Sequence, residues 1–101
     1  MERERQEEFM RLAEEKGYLK TPSQEYILKK GRTRYGRKAN KLEQVELIKL
    51  GAKKLMDLGD IGACSRLKVC IMPGNYLTRF DVLANCPELV KLDLHSNQVC
   101  I

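Results

Sequence analysis

One histidine, His95, stands in the whole chain, and the four cysteines, Cys64, Cys70, Cys86 and Cys100, show no C-x-x-C spacing. A zinc site draws on closely spaced His and Cys, so no metal and no cofactor is predicted. The lone histidine has no readable base partner, which leaves no Cys–His nucleophile. The phosphate-cradling G-x-x-x-x-G-K run is absent, and Gly59 and Gly62 of G-D-I-G read as loop glycines. No apolar stretch approaches the ~18 residues of a membrane span. The charged N-terminus lacks the hydrophobic segment of a secretory signal. These absences exclude the common enzyme and membrane classes and predict a non-enzymatic chain.

What is present is a small soluble composition: 101 residues, 43% hydrophobic, 33% charged, net charge +5. A chain of this size buries only about 60–68% of its unfolded surface, so its core is limited. The charge is uneven. The first sixteen residues carry six Glu against four Lys or Arg, whereas residues 29–41 carry seven cations and no acid. The excess of positive charge is therefore a local feature.

The strongest pattern is a spacing. Leu89, Leu92, Leu94, Asn97 and Val99 follow L-x-x-L-x-L-x-x-N-x-L. Twenty-two residues upstream the frame returns as Leu67, Cys70, Met72, Asn75 and Leu77, and twenty-two further back as Val45, Ile48, Leu50, Lys53 and Leu55. Leu58, Ile61 and Cys64 fall in register with Phe80, Leu83 and Cys86 by the same step. A fixed period of this length predicts stacked structural repeats. Residues 45–66 and 67–88 form two repeats and 89–101 the front half of a third, behind a charged N-terminal segment at 1–44.

Within each repeat the front half alternates as a half-buried strand does. Ile48 and Leu50, Cys70 and Met72, and Leu92 and Leu94 are predicted to face the core. Leu47, Lys49 and Gly51, Val69, Ile71 and Pro73, and Lys91, Asp93 and His95 face outward. Asn75 and Asn97 follow the strands, where an amide can serve backbone groups that no ladder satisfies, and they are read as an asparagine ladder. Gly74 assists the turn, and Lys53 replaces Asn in an atypical first unit. The back half is apolar every third residue (Leu77, Phe80, Leu83, Cys86, Leu89), a period that suits 3₁₀ turns.

This 22-residue unit resembles the short leucine-rich repeat subclass of the protein-phosphatase regulatory subunit. It is also similar to ciliary leucine-rich repeat proteins, including the axonemal dynein light chain type, and to the A-prime spliceosomal protein. The resemblance covers residues 45–101; Lys53 and Cys70 depart from the pattern, and residues 1–44 match no motif. It implies an α/β fold: a short solenoid of about 2.5 repeats, with a small parallel sheet on its concave face and a helical N-terminal cap. It further implies protein–protein recognition, without catalysis, on the concave residues Leu47, Lys49, Val69, Ile71, Lys91, Asp93 and His95. Leu47, Val69 and Ile71 would form an apolar centre with charges at the rim. The plainer alternative is that the β-branched residues serve strand propensity alone.

Ahead of the repeats, residues 2–16 are rich in helix formers, with a short stripe at Phe9, Leu12 and Ala13 and a stop at Gly17. That helix reads as a solvated element or as a partner helix. Thr21, Pro22 and Gln24 predict a second helix start, with Thr21 as cap and Gln24 reaching back, and Gly31 ends it. Tyr26, Ile27 and Leu28 would cover the first repeat as a solenoid cap. Lys29, Lys30, Arg32, Arg34, Arg37, Lys38 and Lys41 then surround the single aromatic Tyr35. This segment reads as a solvated linker, or as a contact for an acidic surface or nucleic acid. One aromatic is thin for base stacking. Asn40 and Glu43 resemble another capping box.

Three of the cysteines fall in inward slots, where a free thiol behaves as a small hydrophobe. That favours a reduced cytoplasmic setting, with nuclear and ciliary alternatives, over a disulfide framework. The third repeat stops at its asparagine turn and would leave an uncapped strand edge. A fragment of a longer solenoid, completion by a partner, or self-association through that edge are the alternatives.

Overall fold

A computed structural model of the chain describes Glu8 and residues 20–98. The helix at 2–16, its stop at Gly17 and the positions Val99 and Cys100 lie outside the described residues, apart from Glu8, which is helical. Three short strands, β1 (Leu47–Lys49), β2 (Val69–Ile71) and β3 (Lys91–Asp93), form one parallel sheet in that order. Leu47 pairs with Val69 and Val69 with Lys91, Ile48 with Cys70 and Leu92, Lys49 with Ile71 and Asp93. Each partner lies twenty-two residues further on, so the sequence period is the strand-to-strand step.

Parallel neighbours need a crossover. Two 3₁₀ turns supply it: η2 (Gly59–Ala63) between β1 and β2, and η3 (Asp81–Asn85) between β2 and β3. With three residues per turn, one apolar position in three faces inward. Leu58, Ile61 and Cys64 around η2 are fully buried, as are Ile48, Leu50, Cys70 and Met72 on the strand side. Burying each Leu, Ile or Met side chain stabilises by roughly 1.5–3 kcal/mol relative to exposure, so this double row carries the solenoid.

Two inward assignments do not hold. Phe80 occupies the slot of Leu58 yet is 39% exposed, and Leu92 occupies the slot of Cys70 yet is 41% exposed. The reason is the number of neighbours. Leu58 and Cys70 lie between two packed units, whereas η3 and β3 have a repeat on only one side among the described residues.

The N-terminal side is closed by α1 (Gln24–Lys30), which buries Ile27 completely and lays Tyr26 and Leu28 against the core. Its cap is Ser23 rather than Thr21: the Ser23 hydroxyl accepts from the Tyr26 amide at 3.2 Å. Thr21 lies too far back to cap, because α1 begins at Gln24, and the chain before it runs extended. Lys20 pairs in parallel with Leu55, donating to the Lys54 carbonyl at 2.9 Å and accepting from the Met56 amide at 2.9 Å. Gly31 ends α1 with an ordinary φ of −73°, so its need is for space. A Cβ there would lie 2.7 Å from Val45 Cγ1 and 2.8 Å from the Ile27 carbonyl oxygen.

The basic segment is more than a linker. Arg32 pairs antiparallel with both Lys38 and Leu47, exchanging two backbone hydrogen bonds with Leu47 at 2.9 and 3.0 Å. This strap covers the start of β1 on its outer edge, a site that otherwise invites stray pairing. Ala39, within the same segment, is buried. The turn η1 (Leu42–Gln44) follows, and here Gln44, not Glu43, reaches back to the Asn40 amide at 3.0 Å. The turn starts after Lys41, one residue later than the sequence suggests, which moves the reaching position to Gln44.

Candidate functional site

The outward side chains of the three strands make one small surface. Across it run two rows, Leu47–Val69–Lys91 and Lys49–Ile71–Asp93. A third row continues past the strand ends as Gly51, Pro73 and His95, joined by hydrogen bonds from Ala52 N to Pro73 O at 2.9 Å and from Gly74 N to His95 O at 3.0 Å. Leu47, Val69 and Ile71 are half-buried and contiguous, while Lys49, Lys91 and His95 are exposed. On β3 the Asp93 carboxylate accepts from the His95 amide at 3.1 Å and lies 2.6 Å from His95 Nδ1. The His95 ring, then its backbone amide, holds the Asp93 carboxyl below the usual carboxylate range.

The turns beneath this face are built on two amides. Asn75 is buried, and its Oδ1 accepts from the amides of Lys53 at 2.9 Å and Leu55 at 3.2 Å. Its Nδ2 donates to the carbonyls of Leu50, Met72 and Pro73 at 2.7, 3.3 and 3.3 Å. Asn97 repeats the arrangement one step on: Oδ1 accepts from Leu77 N at 3.0 Å, and Nδ2 donates to Met72 O, Leu94 O and His95 O at 2.8, 3.0 and 3.3 Å. The turn also fixes backbone sign. Ala52, Gly74 and Ser96, one per repeat, all adopt left-handed φ, at 53°, 66° and 58°.

Comparison with known proteins agrees with this geometry. Over 52 residues, 52% of the chain, it is 38% identical to leucine-rich repeat and IQ domain-containing protein 3 of Mus musculus, and 36% identical to the proteins of that name from Homo sapiens and Rattus norvegicus. The match spans 8% of the length of each relative. No family model and no solved structure matches. This is leucine-rich repeat architecture.

On that leucine-rich repeat frame the seven cations of the basic segment are spread over the end of α1, the strap and the residue before η1. Arg32 turns its guanidinium back on the end of α1, donating from Nη1 to the carbonyls of Lys29 at 2.9 Å and Gly31 at 2.7 Å. Lys29 and Lys30 form the last turn of that helix, and Lys41 precedes η1. Arg34 and Arg37 sit on the turn made by the strap, where Gly36 takes a φ of +77°. The Arg34 guanidinium donates to Tyr35 Oη at 2.8 Å and lies 4.9 Å from the Tyr35 ring centre.

The leucine-rich repeats contribute charged residues that sequence reasoning passed over. Glu46 and Lys68 stand one position before β1 and β2, twenty-two residues apart, and meet at 2.6 Å. The Arg34 amide donates to the other Glu46 oxygen at 3.0 Å. Lys68, then Arg34, holds the Glu46 carboxyl below its ordinary value. The available signal was opposite charge at equivalent repeat positions, which places the two side chains on adjacent strands.

The thiols of Cys64, Cys70 and Cys86 are free and buried. Burial, reinforced by neighbouring groups, pushes Cys64 and Cys70 up to about 12, and burial raises Cys86 as well. Such thiols are inert packing groups. Among the described residues no cluster of three or more His, Cys, Asp or Glu is set to hold a metal ion, and no helix is long and apolar enough to cross a membrane.

Proposed function

We propose that the chain is a non-enzymatic protein-interaction module that receives a protein partner on the concave strand face. The observation that carries this reading is the contiguous half-buried group Leu47, Val69 and Ile71, ringed by Lys49, Lys91, Asp93 and His95. Interface energy concentrates where an apolar centre is kept dry by a polar rim. Short strands in strict register hold the side chains in place, so little ordering entropy is lost on binding. Similarity to leucine-rich repeat proteins supports the same class of role. The free thiols favour a reducing compartment, the cytoplasm first, with nucleus and cilium as the alternatives.

The test replaces Val69 and Ile71 together by Glu and compares affinity capture from cell extract with the unmodified chain. Both positions face outward, so the circular dichroism spectrum and melt should stay close to the original. Loss of the captured proteins with the fold intact supports the face as the interface. Unchanged capture places the interface elsewhere.

A further inference from the structure

The strap and the repeats build a second site at the N-terminal ends of β1 and β2. Arg34, Tyr35 and Arg37 from the turn, Glu46 before β1, and Arg66 and Lys68 before β2 line one open cavity of about 530 Å³. Three separate stretches of chain thus bring four cations around the Glu46 carboxylate, and Glu88 stands 3.9 Å from the Lys68 ammonium. The Glu46 carboxylate is already engaged: it accepts from Lys68 Nζ at 2.6 Å and from the Arg34 amide at 3.0 Å. It neutralises Lys68 and anchors the turn, leaving Arg37 and Arg66 as uncompensated charge beside the Arg34 guanidinium. Among the described residues no carboxylate stands within ion-pair distance of Arg37 or Arg66, and both side chains are exposed.

From this arrangement we infer that the cavity binds an acidic stretch of polypeptide, its Asp and Glu carboxylates set against Arg34, Arg37 and Arg66. Guanidinium is planar and presents paired donors that match a carboxylate two-for-two. The cavity is open rather than enclosed, which suits an extended segment lying across it. Nucleic acid fits less well. Tyr35 is 74% exposed and is the aromatic at the site, but the Arg34 guanidinium lies 4.9 Å from its ring centre and competes for the face on which a base would stack. Glu46, held anionic on the cavity wall, opposes a dense phosphate backbone but is tolerated by spaced carboxylates. This site is distinct from the concave apolar group, and its test does not depend on that reading.

The experiment titrates the full chain into a fluorescein-labelled glutamate–serine peptide at about 0.15 M salt, where exposed charges more than ~8 Å apart are largely screened, and follows anisotropy. Two charge-matched variants accompany it: Arg37→Gln with Arg66→Gln inside the cavity, and Lys29→Gln with Lys30→Gln on the end of α1. The cavity variant should lose roughly tenfold or more in affinity, about 1.4 kcal/mol. The helix variant should stay within about twofold, since distant exposed charges are screened. Both pairs are exposed, and a melt on each variant checks that the fold is unchanged. If either fails that check, Arg37→Ala alone serves in place of the cavity pair and Lys30→Ala alone in place of the helix pair. Equal loss in both variants, or no peptide binding by the parent chain, overturns the proposal. So does tighter binding of a single-stranded RNA oligonucleotide at the same salt, lost in the same cavity variant.

Discussion

The side-chain amide of Asn75 donates to the carbonyl of Leu50 at 2.7 Å, tying the turn of the second repeat to the end of the first strand. The same residue accepts from the Lys53 and Leu55 amides. Replacing Asn75 with Ala orphans several backbone groups at once in a buried setting. Each unsatisfied group costs about 1–3 kcal/mol, so Asn75→Ala should destabilise by roughly 3 kcal/mol or more. Asn97→Ala, at a partly exposed position, should cost less. Urea midpoints at constant slope measure both. An Asn75→Ala midpoint at or above that of Asn97→Ala would contradict the assignment.

The left-handed turn positions give a prediction of opposite signs. A left-handed L-residue is strained by about 1–2 kcal/mol, whereas glycine is not but loses more entropy on folding. Ala52→Gly and Ser96→Gly should therefore stabilise by roughly 0.5 kcal/mol, and Gly74→Ala should destabilise by about 1 kcal/mol. Gly74 isolates the conformational term, because a Cβ there would meet nothing closer than 3.8 Å. Thermal melts of the three variants check the signs. All three shifting in one direction would mean that φ is not what matters.

The Glu46–Lys68 pair makes a pH prediction. Lys68 and then the Arg34 amide hold the Glu46 carboxyl below its ordinary value of 4.5. The folded chain then binds fewer protons than the unfolded chain through that range. The pair's contribution is complete above about pH 4.5 and is lost as pH falls through the lowered folded value. Glu46→Gln should lower the melting temperature at neutral pH and close the gap to wild type in acid. Parallel curves from neutral to acid pH would show that the pair adds nothing.

Much of this fold is legible as arithmetic. The 22-residue step, the period of three behind the first two strands and the asparagine at the second and third turns all recur in side-chain identity, and the structure repeats them in space. What the sequence hides is contact made by backbone. The Arg32 strap pairs with Leu47 through main-chain groups, which leave no mark on residue type, and so a cap element reads as a basic linker. Thr21 and Ser23 offer the same capping chemistry two residues apart, and only the start of the helix at Gln24 decides between them. Phe80 and Leu92 carry the repeat's apolar signature without its burial, because burial depends on a neighbour and not on the residue. The acidic-peptide cavity was half visible: Arg34 and Arg37 stand in an obvious cationic run, but Arg66 and Lys68 join them only once the second repeat is stacked on the first.

The two asparagines have a direction. Asn75 serves amides of the repeat before it, at Lys53 and Leu55, and Asn97 serves Leu77 in the same backward sense. In the first unit Lys53 takes the place of the asparagine, and there the Lys20 pairing with Leu55 stands where a preceding repeat would be. On a ribosome the chain emerges from its N-terminus, so the stitch that locks each repeat is translated with the repeat that follows. The stitch for a given unit is thus carried by its successor, and removing a later repeat would undo the one before it.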